Sequence, residues 1–222
     1  MIIVKAFGGL GNQMFQYAFY EYLKENNQEV YFDISDYNVH KYHNGFELKE
    51  VFNICFQEPD HKKINKLAVR QEGIITRILF RIFGLRLSKT TELFEQKGVF
   101  VVPFQEIKKD VVMRGTWQDA QYVLPVQNKI RKMFCFPELT GQNREVVETL
   151  RERTTVSVHV RRGDYLTIPN YQGICDETYY DCAISYFQDN HADEKPLYVF
   201  FSDDIQWCKD RYSGLDAIFI DW

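Results

Sequence analysis

The sequence predicts an α/β protein made of two units, each with a parallel sheet at its centre. Short apolar segments typical of buried strands alternate with helical segments along the chain, and this alternation favours parallel strands joined by helices. A glycine-rich turn over residues 8–11 separates the first strand from the first helix. Near residues 137–150, Pro137 and Gly141 lead into a polar helical segment, which indicates a boundary between the units.

The first unit opens with a strand, a loop, a helix and a second strand. Residues 2–7 are apolar and predict the first strand, and residues 29–33 predict the second. Between them, a helix is predicted from Asn12 onward, because apolar side chains recur at helical spacing. These side chains are Met14, Phe15, Ala18, Phe19, Tyr22 and Leu23. Residues 99–102 and 110–115 predict two further strands.

The second unit begins with a polar helical segment over residues 143–153. Apolar segments then predict strands over 155–160, 197–201 and 217–220. A further helical segment around residues 179–187 lies between the first two of these strands. We therefore expect two domains, formed by residues 1–145 and 146–222.

Composition and charge exclude several classes of protein. The 222 residues are 45% hydrophobic and 16% aromatic, which is enough for a packed core and excludes a disordered chain. The net charge of −4 argues against a nucleic-acid-binding protein, which usually carries a basic surface. Five cysteines without C-x-x-C spacing argue against a disulfide scaffold or a zinc site and favour buried free thiols.

The sequence predicts a cytoplasmic protein with one strongly basic segment. Residues 1–5 lead directly into a strand without the pattern of a signal peptide, and no apolar segment approaches the roughly 18 residues needed to cross a bilayer. Segment 61–89 carries eight Lys and Arg residues and one acid, Glu72. Its amphipathic pattern suits peripheral docking at the anionic inner membrane face, and it equally suits a helix packed on its own domain.

The glycine-rich turn is the first candidate binding site. Glycines between a strand and a helix let the backbone approach a ligand at the helix N-terminus. Gly9 and Gly11 match the dinucleotide pattern G-x-G-x-x-G, but Met14 occupies its third glycine position, which argues against a dehydrogenase. The carboxamides of Asn12 and Gln13 can bind a sugar or a phosphate without adding charge. Asn12 is equally suited to cap the helix.

The second candidate site is His159-Val-Arg-Arg-Gly-Asp164, at the end of an apolar strand. Ligands of α/β proteins bind beyond the carboxyl ends of strands. The adjacent Arg161 and Arg162 repel each other unless an acid or an anionic ligand neutralises them, and the planar donor fork of arginine suits a diphosphate. We expect Asp164 to hold one guanidinium and to leave the other for the ligand. An exposed cluster of ion pairs is the alternative.

The third candidate site is formed by Ser202, Asp203 and Asp204, directly after another apolar strand. Their oxygens can accept hydrogen bonds from a nucleobase or a sugar. Ser202 and Asp203 are equally suited to cap a helix, and two adjacent aspartates are weak evidence for a metal site.

Together, these motifs resemble glycosyltransferase family eleven, the α-1,2-fucosyltransferases, with GDP-fucose as the donor. The resemblance covers most of the chain. It rests on GGLGNQMFQYA (8–18), RGTWQ (114–118), HVRRGDY (159–165), ETYY (177–180) and FFSDDIQW (200–207). HVRRGD alone is shared with other fucosyltransferases, whereas GGLGNQ, HVRRGD and FSDD in this order are specific.

The resemblance implies a GT-B-like fold, in which two Rossmann-like domains face a cleft. The first domain lies on the acceptor side and the second binds GDP-fucose. The implied reaction is an inverting transfer of L-fucose to a galactoside hydroxyl, which uses neither a metal nor another cofactor. The chain ends at Trp222, before a segment that helps to close the donor site in the family. We therefore expect the second domain to be incomplete.

The resemblance also implies roles for individual residues. Arg161 resembles the arginine on the donor β-phosphate, and Asn12 resembles the asparagine of the glycine-rich loop that faces the donor. His159 and Asp203 or Asp204 resemble positions that contact the guanosine. The remaining residues expected to bind substrate are Gly9, Gly11, Gln13, Arg162 and Ser202. Asp164 is a candidate general base, and the alternative is that it only orients Arg162.

Three functional hypotheses follow from the sequence. The first is a fucosyltransferase that acts on a galactose-terminated oligosaccharide or an O-antigen precursor. The second keeps this chemistry with another acceptor or linkage, and the third is a truncated sugar-nucleotide-binding protein without turnover. Residues 34–60 are rich in Tyr, His and Asn, and they either line a sugar site or form ordinary surface.

Overall fold

The chain forms two compact units, Met1–Pro137 and Glu138–Trp222. The computed structural model describes residues 1–27, 29–38, 44–68, 78–79, 81–82, 89–95, 107 and 110–222. The domain boundary predicted after residue 145 lies within the first helix of the second unit, Gly141–Arg151. The predicted strand at 99–102 lies outside the described residues.

The first unit is an α/β unit with a parallel sheet. Its strands are β1 (Ile2–Lys5), β2 (Val30–Asp33), β3 (Glu92–Phe94) and β4 (Val111–Arg114). Its helices are α1 (Leu10–Asn26), α2 (Leu48–Phe52), α3 (His61–Leu67), α4 (Ala120–Val123) and α5 (Gln127–Met133), with 3₁₀ turns at Ser35–Asn38 and Leu124–Val126. The strand order is β2-β1-β4-β3. All pairs are parallel, as the sequence predicts, so the carboxyl ends of the strands meet at one edge.

Helix α1 packs a largely aromatic face against one side of this sheet. Phe19 and Leu23 are fully buried in the core that also contains Phe32 of β2. The apolar face predicted for this helix is only partly right, because Phe15 is 38% exposed. Gln13 and Gln16 lie in the interior instead, with no exposed surface.

Helix α3 covers the opposite face of the sheet, where Ile64 and Leu67 pack against Ile3 and Val112. Its three lysines are exposed: Lys62, Lys63 and Lys66. The start of the basic segment 61–89 therefore packs on its own unit with a solvated basic face. Most of the amphipathic pattern predicted over residues 74–83 lies outside the described residues.

The second unit contains a three-stranded parallel sheet. Its strands are β5 (Thr155–Val160), β6 (Leu197–Ser202) and β7 (Ala217–Ile220), in the order β5-β6-β7. Its helices are α6 (Gly141–Arg151), α7 (Gly163–Thr167), α8 (Glu177–Asn190) and α9 (Ile205–Arg211), with a 3₁₀ turn at Ala192–Glu194. The core joins Val158 and Phe200 of the sheet to Tyr180 and Ile184 of α8 and to Cys208 of α9. The three strands predicted in this unit are confirmed.

No helix formed by the described residues is long and apolar enough to span a membrane. All five cysteines lie in described parts of the chain and are free thiols. Only Cys208 is buried, so the prediction of buried free thiols is right for one cysteine and wrong for the exposed Cys55, Cys135 and Cys182.

Candidate functional site

The two motifs predicted in the second unit lie side by side. Val160 at the end of β5 is in register with Ser202 at the end of β6, and the strands are parallel. The segments that follow them, 161–164 and 203–204, therefore leave the sheet at the same edge. The carboxyl edge of a parallel sheet is where α/β proteins bind ligands.

Arg161 forms a bidentate ion pair with Asp164. Its Nε donates to Oδ1 at 2.9 Å and its Nη2 donates to Oδ2 at 2.5 Å. These bonds raise the pKa of Arg161 above its ordinary value. The pair remains accessible, since the two side chains are 42% and 32% exposed. The expectation that Asp164 orients Arg162 is therefore wrong, because its carboxylate faces Arg161.

Arg162 is the more buried of the two arginines, with 17% of its side chain exposed. Its Nε donates to Asp204 Oδ2 at 3.1 Å, and its Nη1 lies 3.5 Å from Glu177 Oε1. Its guanidinium lies 4.0 Å from the centre of the Trp207 ring, in a cation–π contact. Two carboxylates and an aromatic face thus neutralise and fix Arg162 in the free protein.

Asp203 holds the turn between β5 and α7. Its Oδ1 accepts from the backbone N–H of Arg162 at 2.8 Å, and its Oδ2 accepts from the N–H of Gly163 at 3.1 Å. A Cβ at Gly163 would lie 2.9 Å from this Oδ2, so glycine gives the carboxylate its close approach. Asp203 therefore ties β6 to the arginine segment.

Asp204 and Ser202 shape the start of α9. Asp204 is the N-cap of this helix, and its Oδ1 accepts from the N–H of Trp207 at 3.3 Å. Its own N–H donates to Ser202 Oγ at 2.9 Å. The motif thus caps a helix, but the N-cap is Asp204 rather than Ser202 or Asp203, which the sequence favoured. Among the described residues, no group of three or more His, Cys, Asp or Glu side chains is arranged to hold a metal ion.

His159 lies on the exposed face of the second sheet. Its neighbours Val158 and Val160 point into the core, so His159 points to the opposite side. It is in register with Phe201 of β6, which is 42% exposed. The imidazole and an aromatic ring thus lie next to each other on an accessible sheet surface, close to the arginine segment.

In the first unit, the glycine-rich turn leads into α1 through Gly9. Gly9 is the N-cap residue, and no side chain caps the helix. The alternative that Asn12 is the N-cap is therefore wrong, because Asn12 lies in the first turn. Gly8 adopts a positive φ of 82°, a conformation that favours glycine. Gly11 is exposed in the first turn of the helix.

Gln13 is a structural clamp rather than an accessible binding group. Its Nε2 donates to the carbonyls of Gly8 at 3.2 Å and Gly45 at 2.9 Å, and its Oε1 accepts from the N–H of Glu47 at 2.9 Å. The side chain has no exposed surface. The prediction that Gln13 binds substrate directly is therefore corrected, because its carboxamide is used inside the protein. Tyr37 adds a second bond to the same turn, donating from its hydroxyl to the Gly8 carbonyl at 2.8 Å.

Sequence reasoning missed the residues that support the Asn12 side chain. Gln118 Nε2 donates to Asn12 Oδ1 at 2.7 Å. Glu95 holds the loop that carries Gln118, because its Oε2 accepts from the N–H groups of Thr116 at 2.6 Å and Trp117 at 3.1 Å. The RGTWQ motif was a signal for Gln118, whereas nothing in the pattern around Glu95 indicates its role.

A buried network of charges lies below this loop, at the carboxyl edge of the first sheet. Lys5 Nζ lies 3.0 Å from Asp33 Oδ2 and also contacts Asp36. Asp36 approaches Arg114, whose Nε donates to Glu92 Oε1 at 2.8 Å. Asp33, at the end of β2, is 2% exposed and paired with Lys5 inside the protein. These charges therefore connect strands β1, β2, β3 and β4.

An open groove of about 450 Å³ lies elsewhere in the second unit, beside helix α8 and residues 211–215. Asp181 accepts there from Arg211 Nε at 3.1 Å and from the Tyr212 hydroxyl at 3.0 Å. None of the residues predicted to bind substrate lines this groove.

The chain matches the family model described as glycosyl transferase family 11 over residues 1–216. The chain belongs to glycosyl transferase family 11. It is accordingly a glycosyltransferase, and the family implies a nucleotide-sugar donor and a glycan acceptor. The resemblance seen in the sequence motifs is thereby confirmed.

Curated family 11 relatives are bacterial and mammalian. The chain is 30% identical to an alpha-1,2-colitosyltransferase of Escherichia coli, over 94% of this chain and 71% of that protein. It is 28% identical to the O-antigen biosynthesis glycosyltransferase WbnK of Escherichia coli, over 93% of this chain and 74% of that protein. It is 41% identical to the human galactoside alpha-(1,2)-fucosyltransferase 1, over 28% of this chain and 17% of that protein. No solved structure matches the chain.

Proposed function

We propose that this family 11 enzyme transfers L-fucose from GDP-fucose to a galactoside hydroxyl in an α-1,2 linkage, in glycan or O-antigen synthesis. The observation that carries the proposal is the pair Arg161 and Arg162 at the carboxyl edge of a parallel sheet, with Arg161 accessible. The accessible donor fork of Arg161 suits a diphosphate oxygen, while Arg162 is held beside it by Asp204 and Glu177. The relatives named as α-1,2-transferases support the linkage.

Arg161 is the proposed partner of the donor β-phosphate. The diphosphate replaces Asp164 on the guanidinium, because both anions compete for the same donor fork. Charge develops on the β-phosphate as the bond from fucose C1 to its oxygen breaks, and Arg161 stabilises that charge. Removing such an electrostatic contact typically costs about 10²–10³-fold in rate.

Asp164 is the proposed general base. When the diphosphate takes its place on Arg161, the carboxylate is released within a few ångströms of the reacting centre. The acceptor hydroxyl oxygen then forms the new bond to C1 while its proton passes to Asp164. The bonding electrons of the old C1–O bond leave with GDP. Attack opposite the leaving group inverts the configuration at C1, and no step uses a metal ion.

The remaining residues of the second unit are proposed to bind the guanosine and to hold the arginines. His159 and Phe201 offer an accessible imidazole and ring next to the arginine segment, which suits a nucleobase. Asp203 and Asp204 fix the segment from behind, and their carboxylate oxygens retain lone pairs for guanine N–H groups.

We also propose that the two units face each other as in the GT-B fold, with the second unit binding the donor. Asn12 then faces the donor from the first unit, whose side of the cleft binds the acceptor. Parallel sheets in both units and accessible groups at their carboxyl edges support this arrangement.

The basic segment 61–89 is the proposed contact with an anionic inner membrane face. Its described part supports this through the exposed Lys62 and Lys66 of α3, together with the exposed Ile78 and Ile82. Replacing both lysines by glutamine should lower co-sedimentation with phosphatidylserine vesicles but not with neutral vesicles. Equal binding of both proteins to anionic vesicles would contradict the contact.

A transfer assay with GDP-fucose and galactose-terminated acceptors tests the main proposal. The expected product carries α-1,2-linked fucose by NMR, and its rate is unchanged by EDTA. The second candidate donor is the same nucleotide carrying colitose, which the 30% identity to a colitosyltransferase favours. Transfer of colitose alone would replace fucose in the proposal. Binding of GDP in a calorimeter without transfer of either sugar would instead indicate a sugar-nucleotide-binding protein without turnover.

A further inference from the structure

The carboxamide of Asn12 has a defined orientation in the free protein. Its Oδ1 accepts from Gln118 Nε2 at 2.7 Å. Its Nδ2 occupies the space above Gly8, where a Cβ on that glycine would lie only 2.4 Å from it. Among the described residues, none accepts a hydrogen bond from Nδ2. The oxygen of this side chain is thus occupied by an intramolecular hydrogen bond at the protein surface, while its N–H groups lie at the glycine-rich turn.

The segment that precedes the exposed Gln118 is held in place by contacts that reach across the edge of the sheet. Glu95, directly after β3, binds the N–H groups of Thr116 and Trp117 and also the Thr116 hydroxyl. Gln16 of α1 donates to the carbonyl of Gly115 at 3.2 Å. Trp117 is fully buried and has a positive φ of 54°. The loop that precedes Gln118 is therefore fixed on both sides before any ligand binds.

The Gly8 side of the Asn12 carboxamide is fixed as well. The Gly8 carbonyl accepts from both Gln13 Nε2 and the Tyr37 hydroxyl. Any side chain at Gly8 would collide with the Asn12 amide and would also oppose the positive φ. The glycine and Gln118 thus restrict the same carboxamide from its two ends.

We propose that Gln118 is a positioning residue that makes Asn12 a hydrogen-bond donor to an oxygen of the sugar nucleotide. Because Gln118 donates to Oδ1, the side chain of Asn12 offers only its N–H groups to the ligand. The partner must then be an acceptor, as the oxygens of a phosphate or a sugar ring are, rather than an N–H or ammonium group. The inference rests on the proposed function for the identity of the ligand, while the orientation itself is a property of the free protein.

Reversing the polarity of Gln118 tests the inference. A carboxylate can only accept, so in the Q118E variant the Asn12 amide must turn its Nδ2 inward and present Oδ1. We expect kcat/KM for the sugar nucleotide to fall at least about tenfold, which corresponds to about 1.4 kcal/mol. The Q118A variant removes the hydrogen bond to Asn12 without reversing its direction, so its kcat/KM should fall less than that of Q118E. The matched control is Q57E, which adds the same charge at an exposed glutamine of the same unit.

A double-mutant cycle separates positioning from other effects of Gln118. In an N12A background, Q118E should cause almost no further loss, since no carboxamide remains to be reversed. N12D should lose as much activity as N12A, because a carboxylate cannot donate. An equal loss from Q118E with and without Asn12, or retained activity in N12D, would overturn the proposal.

A measurement on the free protein keeps this inference distinct from the proposed function. In the NMR spectrum, the Asn12 side-chain amide protons, assigned by comparison with N12D, should show nuclear Overhauser contacts to the Gly8 α-protons. Q118E should abolish these contacts while the melting temperature stays unchanged. Contacts that persist in Q118E would refute the orientation, even in an active enzyme. Absence of any sugar transfer by the wild-type protein would refute the proposed function and leave the orientation intact.

Discussion

The Arg161 guanidinium and the Asp164 carboxylate neutralise each other through two parallel hydrogen bonds, at 2.9 and 2.5 Å. The arginine proposed to bind the donor diphosphate is thus already occupied by an internal anion. An accessible pair of this kind contributes little to folding, because solvent screens it. The pair instead allows one anion to replace another on Arg161. A dianionic ligand can displace the single carboxylate of Asp164, which is then free to act as a base.

Asp164→Asn should separate catalysis from donor binding. The amide cannot accept the acceptor proton, so we expect the transfer rate to fall by about 10²–10⁴-fold, as for the loss of a general base. GDP should bind at least as tightly as in the wild type, because the competing negative charge is gone. Single-turnover transfer and calorimetry measure the two quantities. A variant that keeps the wild-type rate would show that Asp164 only orients Arg161.

Arg161→Ala should weaken both the transfer of fucose and the binding of GDP. Transfer is expected to fall by about 10²–10³-fold, and the Kd for GDP should rise because the diphosphate loses its donor fork. Arg144→Ala is the matched control, since Arg144 is an exposed arginine of the same unit that pairs with Glu148 of its own helix α6. Unchanged GDP binding in Arg161→Ala would contradict the proposed phosphate contact.

Asp203→Ala should destabilise the second unit by removing the partner of two backbone N–H groups. The loss of a side-chain cap of this kind costs about 1 kcal/mol. Urea unfolding measures the change, and Asp189→Ala at an exposed position of helix α8 is the control. A variant as stable as the wild type would mean that water replaces the carboxylate without cost.

The sequence predicted regular strands well and the polar interior of the first unit poorly. Strands β5 and β7 were predicted with their observed bounds, because a short apolar segment marks each of them directly. In α1, the periodicity of apolar residues placed Phe15 inside, whereas Gln13 and Gln16 are buried instead. Burying a glutamine is favourable only when its partners are present. Those partners, such as Gly45 and Gly115, are distant in sequence.

The pairing within the candidate site could not be predicted for a similar reason. Asp164 lies three residues from Arg161 and two from Arg162, and spacing alone does not decide between them. Asp203 fixes the turn that follows β5, and this turn sets the direction in which each arginine side chain points. The contact between Asp203 and the Arg162 N–H joins residues about forty positions apart in the sequence. The position of both motifs at one sheet edge was predictable, because parallel strands bring their carboxyl ends together.

Gln13→Leu should lower the stability of the first unit because it removes the side-chain partner of several backbone groups. The carbonyls of Gly8 and Gly45 and the N–H of Glu47 each lose a bond, and a hydrogen bond of this kind contributes about 0.5–1.5 kcal/mol. We expect the free energy of unfolding to fall by about 2 kcal/mol or more. Gln57→Leu, at an exposed position, should change it by less than about 0.5 kcal/mol. Equal effects of the two substitutions would contradict the clamp.

Tyr212→Phe should change how the stability depends on alkaline pH. Burial, and then the hydrogen bond to Asp181, raise the pKa of Tyr212 to about 12, from about 10 in an unfolded chain. Between these values the unfolded state loses its phenol proton while the folded state keeps it. The contribution of Tyr212 to the free energy of unfolding is therefore fully present below about pH 10. As the pH rises from about 10 toward 12, the free energy of unfolding falls by about 1.4 kcal/mol per pH unit.

Urea unfolding at pH 8 to 11 measures this difference between the wild type and Tyr212→Phe. At pH 8 the variant should be the less stable protein, because it lacks the bond from Tyr212 to Asp181. The difference in the free energy of unfolding should stay constant up to about pH 9.5 and then narrow. Above about pH 10 the phenol of Tyr212 ionises in the unfolded wild type, which stabilises that unfolded state, and the variant has no such phenol. Tyr186→Phe, at an exposed tyrosine of helix α8, should follow the wild type throughout. Parallel curves for wild type and Tyr212→Phe above pH 10 would show that Tyr212 titrates alike in both states, and that the contact with Asp181 does not hold its proton.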